Sequence, residues 1–166
     1  MKHVVYLLFV LIGPIAWGCT GAPDADELLR ARLAQHLGVW EGTYTYTTPT
    51  GALVDRHASR QEARLNGDTW HQRIVSRWED GRERTLEFTA HIRDGQLIYD
   101  DPDFPGRLFA VTDAVALYLG GSTDGSSRLI ETIVTVDETH QTRSWQVFEK
   151  DVLTQIVAID EIRVER

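Results

Sequence analysis

The sequence predicts an all-β protein, a single antiparallel up-and-down β-barrel behind one short helix. From Val39 onward the apolar residues lose helical spacing and alternate with polar residues in short runs. Each run ends in a turn rich in Gly, Asn, Asp or Pro. Strands joined by short turns pair as an antiparallel meander, and closing a long meander into a barrel removes its unpaired edges.

Length and charge restrict the class of protein. The chain has 166 residues, the size of one domain, and its five Trp, five Tyr and five Phe are enough to build one core. Its formal net charge is −8, and no Lys/Arg cluster with interleaved aromatic residues offsets that sign. A surface of this charge repels phosphate backbones, so we expect no nucleic acid among its partners.

Residues 1–18 are predicted to be a signal peptide of the lipoprotein type. The apolar run from Val4 to Trp17 has the length of a signal peptide. It ends in Gly18-Cys19, and a lipoprotein signal peptidase requires a small residue before the cysteine that is lipidated. We therefore expect an exported protein, anchored to a membrane of the cell envelope through a lipid on Cys19. The alternative is an ordinary secretory signal cleaved nearby, which also exports the protein.

Residues 19–26 are predicted to be a polar tether, and residues 27–166 the barrel domain. The domain begins with a helix from about Glu27 to His36, which we expect Asp26 to cap and Gly38 to end. The helical spacing is that of Leu28, Leu29, Leu33 and Leu37.

Ten strands are predicted to follow the helix. Turns such as Asn66-Gly67 and Asp94-Gly95 supply the positive φ that tight hairpins need. The predicted strands are Trp40–Tyr46, Leu53–Leu65, Thr69–Trp78, Glu83–Ile92, Gln96–Asp100, Arg107–Val111, Ala114–Leu119, Ser127–Val136, Thr142–Glu149 and Val152–Glu165.

Side-chain alternation predicts what the barrel encloses. Successive residues of a strand point to opposite faces, and the sets assigned to the inside are apolar and aromatic. They also contain polar residues, among them Ser59, Gln61 and Gln72. A buried polar group costs ~1–3 kcal/mol when it is unpaired. Either these groups pair within a filled barrel, or they line a cavity for an amphipathic small molecule.

Two residues are candidates for chemistry inside the barrel. Glu131 stands in the apolar stretch "LIETIVTV" and either pairs with an arginine such as Arg143 or caps the rim. Such a pair is structural, or it anchors a ligand head group, or the carboxyl serves as a general acid. His57 is the one histidine assigned to the inside. No HxxxH or HxH pair exists, so we predict neither a metal site nor a cofactor.

The chain entering the first strand predicts how one end of the barrel closes. Gly38 allows a sharp turn from helix to strand, and Trp40 then packs across the barrel end. In a closed barrel the last strand lies beside the first. Arg163 can therefore stack over the Trp40 indole, an interaction worth ~0.5–2 kcal/mol.

Gly38, Trp40 and Arg163 resemble the Gly-x-Trp and arginine signature of the calycins, which include the lipocalins and the fatty-acid-binding proteins. From Leu37 to Arg163 the chain is similar to an uncharacterised bacterial family of lipocalin-like domains, distantly related to cyanobacterial bilin lyases. The similarity lies in "LGVWEGTYT", "PTG", Ser59-Arg60, Gln72, Asp80-Gly81-Arg82, Glu131, "RSW" at 143–145 and "DEIRV" at 160–164. The resemblance implies a barrel with a pocket for a small hydrophobic molecule. It does not imply lyase activity, because those lyases act in the cytoplasm and this chain is predicted to carry an export signal.

These observations lead to three hypotheses. The first is a lipid-anchored barrel that binds a small amphipathic molecule. The second is a barrel enzyme of isomerase, cyclase or lyase type, with Glu131 or His57 as acid or base. The third is a structural envelope protein with a filled barrel. The predicted ligand-binding residues are Tyr44, Ser59, Gln61, Trp70, Gln72, Trp78, Glu131, Arg143 and Trp145.

Overall fold

The structure, a computed structural model, describes residues 24–102 and 104–165. The predicted signal peptide and Cys19 lie outside the described residues. One helix and ten strands make up the described part. They are α1 (Ala25–His36), β1 (Gly38–Thr47), β2 (Leu53–Asn66), β3 (Thr69–Arg77), β4 (Glu83–Arg93), β5 (Gln96–Tyr99), β6 (Gly106–Ala110), β7 (Val115–Gly121), β8 (Ser127–Thr135), β9 (His140–Glu149) and β10 (Val152–Glu165).

The strands form one closed antiparallel barrel. Each strand pairs with its neighbours in the chain, and β10 pairs with β1 to close the sheet. This confirms the predicted all-β, up-and-down barrel with one short helix. The predicted strands are all present with small shifts at their ends. The largest shift that concerns a candidate residue is at β3, which ends at Arg77 and leaves Trp78 in the following turn.

The helix begins earlier than predicted and has a different cap. Asp24 is the N-cap, and its Oδ1 accepts a hydrogen bond from the Asp26 backbone nitrogen at 3.2 Å. The prediction that Asp26 caps the helix was therefore wrong. Asp26 instead accepts a hydrogen bond from the backbone nitrogen of Gly95, in the β4–β5 turn. The carboxylate joins the helix to the barrel, a use that local sequence does not reveal.

The helix ends where the sequence predicts. His36 is its last residue, and Gly38 follows with φ +102°, in the region that favours glycine. This conformation turns the chain from the helix into β1. Trp40 is completely buried two residues later, and its indole Nε1 donates to the His36 carbonyl oxygen at 3.0 Å.

A residue of the last strand lies over the same indole ring. Arg163 is the register partner of Trp40 on β10, and its guanidinium carbon lies 4.5 Å from the centre of the Trp40 ring. Its Nη2 also donates to the carbonyl oxygen of Gln35 in the helix. The first strand, the last strand and the helix thus meet at one end of the barrel.

The main apolar core lies under the helix. Leu29 and Leu33 of α1 pack into the barrel end, where α1 contacts β5 and β6. The core residues they join include Ala63, Trp70, Ala90, Leu97, Leu108 and Ile133. The helix therefore plugs this end of the barrel, and no helix of residues 24–102 and 104–165 covers the strand ends on the opposite side.

Candidate functional site

A cavity of about 600 Å³ lies inside the barrel. This volume is within the range of about 300–1,000 Å³ that is usual for small-molecule pockets. Arg32, Leu33 and His36 of the plugging helix form its floor, and Tyr46 and Arg84 line it at strand ends opposite the helix. Its walls are largely apolar and include Ile74, Leu86, Phe88, Leu108, Leu129 and Val147.

A buried polar network centred on Arg143 occupies one side of the cavity. Its Nε donates to Glu131 Oε1 at 2.5 Å, and its Nη1 donates to Gln61 Oε1 at 2.6 Å and to the Tyr44 hydroxyl at 3.4 Å. The same Nη1 lies 3.7 Å from Glu161 Oε2. Two carboxylates therefore lie against one guanidinium, whose orientation is held by side chains from several strands.

The network continues to the plugging helix through His36. Gln61 Nε2 lies 2.5 Å from His36 Nε2, and His36 Nδ1 lies 2.8 Å from Gln141 Oε1. Because an amide nitrogen donates, His36 accepts at Nε2 and donates from Nδ1. Gln141 Nε2 in turn donates to Glu161 Oε2 at 2.7 Å. A neutral His36 is thus the link between the helix and the strands.

Burial and charge set the protonation of these groups. Burial, with Arg143 and Arg32 nearby, lowers the pKa of His36 well below its ordinary value, which keeps the ring neutral. Burial raises the pKa of Glu161, although Arg143 opposes this shift. Burial disfavours the charged form of Arg143, but Glu131, Tyr44 and Glu161 outweigh it and hold the Arg143 pKa well above its ordinary value.

The structure places five of the predicted ligand-binding residues in the cavity lining. These are Trp70, Gln72, Glu131, Arg143 and Trp145. Tyr44 and Gln61 are buried behind the lining, and both accept a hydrogen bond from Arg143. They support the cavity wall without facing the cavity itself.

Ser59 and Trp78 do not line the cavity. Ser59 is buried with no hydrogen-bond partner for its hydroxyl. The Trp78 indole donates to Asp55 Oδ2 at 2.9 Å, and its ring lies 4.4 Å from that of His57. His57 faces inward but stacks on Tyr44, at 5.2 Å between ring centres, and does not line the cavity. The fold therefore does not bring together the two catalytic candidates, Glu131 and His57.

Sequence reasoning missed four residues of the site, namely Arg32, His36, Gln141 and Glu161. Arg32 and His36 lie three and seven residues after Leu29, on the buried face of the helix. That position is a signal, because a polar residue within an apolar helix stripe is unusual. Gln141 extends the inward face of Arg143 by one more step along β9.

One family match covers most of this chain. The N-terminal domain of unknown function DUF3598 matches residues 30–166. The chain belongs to the DUF3598 family. This confirms the resemblance to an uncharacterised family of lipocalin-like domains. No curated protein matches the chain.

Solved structures show the same barrel in DUF3598 and in other proteins. A DUF3598 protein of unknown function from Nostoc punctiforme is 18% identical, with a TM-score of 0.66 over 87% of this chain. This chain spans 53% of that protein's length. The S-type phycobiliprotein lyase of Guillardia theta is 9% identical, with a TM-score of 0.67, and Rv2717c of M. tuberculosis is 17% identical, with a TM-score of 0.61. The chain is covered to 86% in both comparisons, and those proteins to 96% and 98%. These similarities establish the calycin-like fold.

Two further classes of feature were sought in the part of the chain that the structure describes. Residues 24–102 and 104–165 contain no group of three or more His, Cys, Asp or Glu placed to hold a metal ion. Among the same residues, no helix has both the length and the apolar character needed to cross a membrane.

Proposed function

We propose that this DUF3598 barrel binds a small amphipathic molecule in its cavity. The observation that supports the proposal most directly is the combination of about 600 Å³ of space, apolar walls and a buried polar network on one side. A filled structural barrel would not contain this space. One solved protein of the same fold is a phycobiliprotein lyase, and a role with a small molecule is consistent with that relative.

The geometry favours binding over catalysis. Glu131 lines the cavity, but its carboxylate is held by Arg143 at 2.5 Å. His57, the other acid–base candidate, lies behind Tyr44 and is separated from the cavity. A general acid or base must reach the atom to which it transfers a proton, and the cavity lining contains Glu131, whose Oε1 is paired with Arg143, but not His57.

Leu129→Trp is expected to weaken binding of the neutral apolar probe N-phenyl-1-naphthylamine by about tenfold or more. Leu129 lines the cavity, so a larger ring there occupies space that the probe needs. A misfit of a single group in an apolar pocket costs ~1–3 kcal/mol, or 10–200-fold in affinity. The measurement is the fluorescence of the probe during titration.

Leu119→Trp is the matched control. Leu119 lies on the adjacent strand β7 with its side chain exposed, so the same substitution there should leave affinity within about twofold. Equal affinity for both variants would place the probe outside the cavity and contradict the proposal. Failure of the wild-type protein to bind the probe would also contradict the proposal. Circular dichroism checks that both variants fold.

We also propose that the protein is exported and held at a membrane of the cell envelope by a lipid on Cys19. The apolar run before Gly18-Cys19 supports this proposal. When the full chain is expressed in bacteria with radiolabelled palmitate, the wild type should take up label and Cys19→Ser should take up none. Secretion without any label in the wild type would instead support the ordinary secretory signal.

A further inference from the structure

Arg32 is a buried cation, and no residue that the structure describes forms a hydrogen bond with its Nε or Nη2. Its exposed fraction is 2%, and its Nε and Nη2 atoms are buried without any hydrogen-bond partner. The side chain lines the cavity floor. Burying a charged group costs several kcal/mol unless it is paired, so an unpaired guanidinium in this position requires an explanation.

The two buried carboxylates of the polar network form no hydrogen bond or ion pair with Arg32. Glu131 and Glu161 both face Arg143, with contacts of 2.5 and 3.7 Å. Burial, with Arg143 close by, lowers the pKa of Arg32 to about 10 although Glu131 opposes this shift, so the group stays charged at neutral pH. The floor of the cavity therefore carries a positive charge that no described residue neutralises through a direct contact.

We propose that the ligand is an apolar carboxylic acid whose carboxylate binds Arg32 at the cavity floor. This inference rests on the proposed function and names the chemical class of the ligand. Nε and Nη2, the two unpartnered atoms, form one edge of the guanidinium fork, and this edge matches the two oxygens of a carboxylate. A single acid group would satisfy both donors and place a negative charge in direct contact with the guanidinium.

The position of Arg32 also sets the orientation of the ligand. Arg32 lies on the plugging helix, and Tyr46, Arg84 and Gln155 line the cavity at strand ends on the opposite side. The acid group therefore lies deep, and the apolar body extends along Leu86 and Val147 toward the barrel end opposite the helix. The uncharged ester of the same acid would lose the charged contact with Arg32 but would keep its contacts with the apolar walls of the cavity.

Paired probes test the charge at the floor directly. Parinaric acid, a fluorescent long-chain carboxylic acid, and its methyl ester would be titrated into the wild type and into Arg32→Met. The acid should lose about 10- to 100-fold in affinity, the range of a hydrogen bond to a charged group. The ester should change by less than about threefold, since Met fills a similar volume. Arg32→Lys keeps the charge and should recover part of the acid affinity.

The matched control is Arg30→Met, on the same helix. The Arg30 guanidinium is partly exposed and pairs with Asp68, away from the cavity lining. The affinity of Arg30→Met for parinaric acid should stay within about twofold of the wild-type value. The ligand-free proteins provide a second measurement. Arg32→Met should raise the melting temperature, because it removes an unpaired buried charge, whereas a residue held for structure alone would lower it.

The outcomes separate this inference from the proposed function. Suppose that the wild type binds both acid and ester, and that Arg32→Met binds both with the same affinity. The acid group then does not lie at Arg32, and the proposal that the cavity binds a small molecule still holds. A lower melting temperature with equal losses for acid and ester would also overturn the inference. If the wild type binds neither these probes nor N-phenyl-1-naphthylamine, the proposed function fails together with it.

Discussion

Replacing Arg143 by Met is expected to lower the free energy of unfolding by about 3–5 kcal/mol, the usual cost of removing one partner of a buried ion pair. Glu131 and Glu161 would then remain buried inside the barrel without their cation. The Gln61 amide oxygen and the Tyr44 hydroxyl would also lose a donor. Urea denaturation monitored by tryptophan fluorescence measures the change.

The pH dependence identifies the uncompensated charge as the cause. Burial already raises the pKa of Glu161 above its ordinary value of 4.5, and Arg143 limits that rise. Without Arg143 the folded-state pKa rises further above the unfolded value. Such a carboxyl contributes stability that is complete below about pH 4.5 and is lost as the pH rises. The loss in the free energy of unfolding caused by Arg143→Met should therefore be larger at pH 8 than at pH 5.

Two variants control the Arg143 experiment. Arg107→Met makes the same substitution at an exposed position of β6 and should change stability by less than about 0.5 kcal/mol. Adding Glu131→Gln to Arg143→Met removes one unpaired carboxylate and should restore part of the loss. A deficit that is independent of pH, together with no recovery in the double variant, would contradict the electrostatic explanation.

Trp40→Ala is expected to cost about 3–5 kcal/mol, as large-to-small changes of buried aromatic residues do. The indole is completely buried where helix, first strand and last strand meet. Its loss also removes the stacking of Arg163 and the donor to the His36 carbonyl oxygen. Thermal and urea unfolding measure the effect.

Milder substitutions divide the Trp40 effect into its parts. Trp40→Phe keeps most of the apolar area but removes the indole donor, so it should cost about 1–2 kcal/mol. Ile162→Ala removes an apolar side chain that is 58% exposed on β10 and should cost less than about 0.5 kcal/mol. If Trp40→Ala cost no more than Ile162→Ala, Trp40 would not hold the barrel end together.

Much of the fold could be predicted because its signals are local. Gly, Asn and Asp turns mark the hairpins, and strict alternation separates the faces, as in β2, where His57, Ser59 and Gln61 are buried between more exposed residues. The helix end at Gly38 also follows from a backbone requirement of that single position. Asp26 shows the limit of such reasoning, since its acceptor is used in a contact with Gly95, 69 residues away.

The candidate site was predicted only in part, because its geometry depends on contacts between strands. Side-chain alternation places Gln61, Gln72 and Tyr44 on inner faces. It does not show that Gln72 lines the cavity or that Tyr44 and Gln61 lie behind the lining. Trp78 was assigned to the inside by extending β3 by one residue, and the strand ends before it. Depth inside a barrel depends on curvature and on neighbouring side chains, which a linear pattern does not contain.

The sequence by itself determined the barrel, its single helix and the residues at the closed end, because turns and alternation are properties of adjacent residues. Only the tertiary structure decided that Arg143 is paired with two carboxylates and that, among the described residues, no carboxylate forms an ion pair with Arg32. In the sequence, Arg32 is a charged residue on the apolar face of a short helix, and that position alone does not show whether its charge is paired. Its burial results from the packing of the helix across the barrel end, and a charge interacts more strongly with a ligand where the surrounding chain excludes water from it.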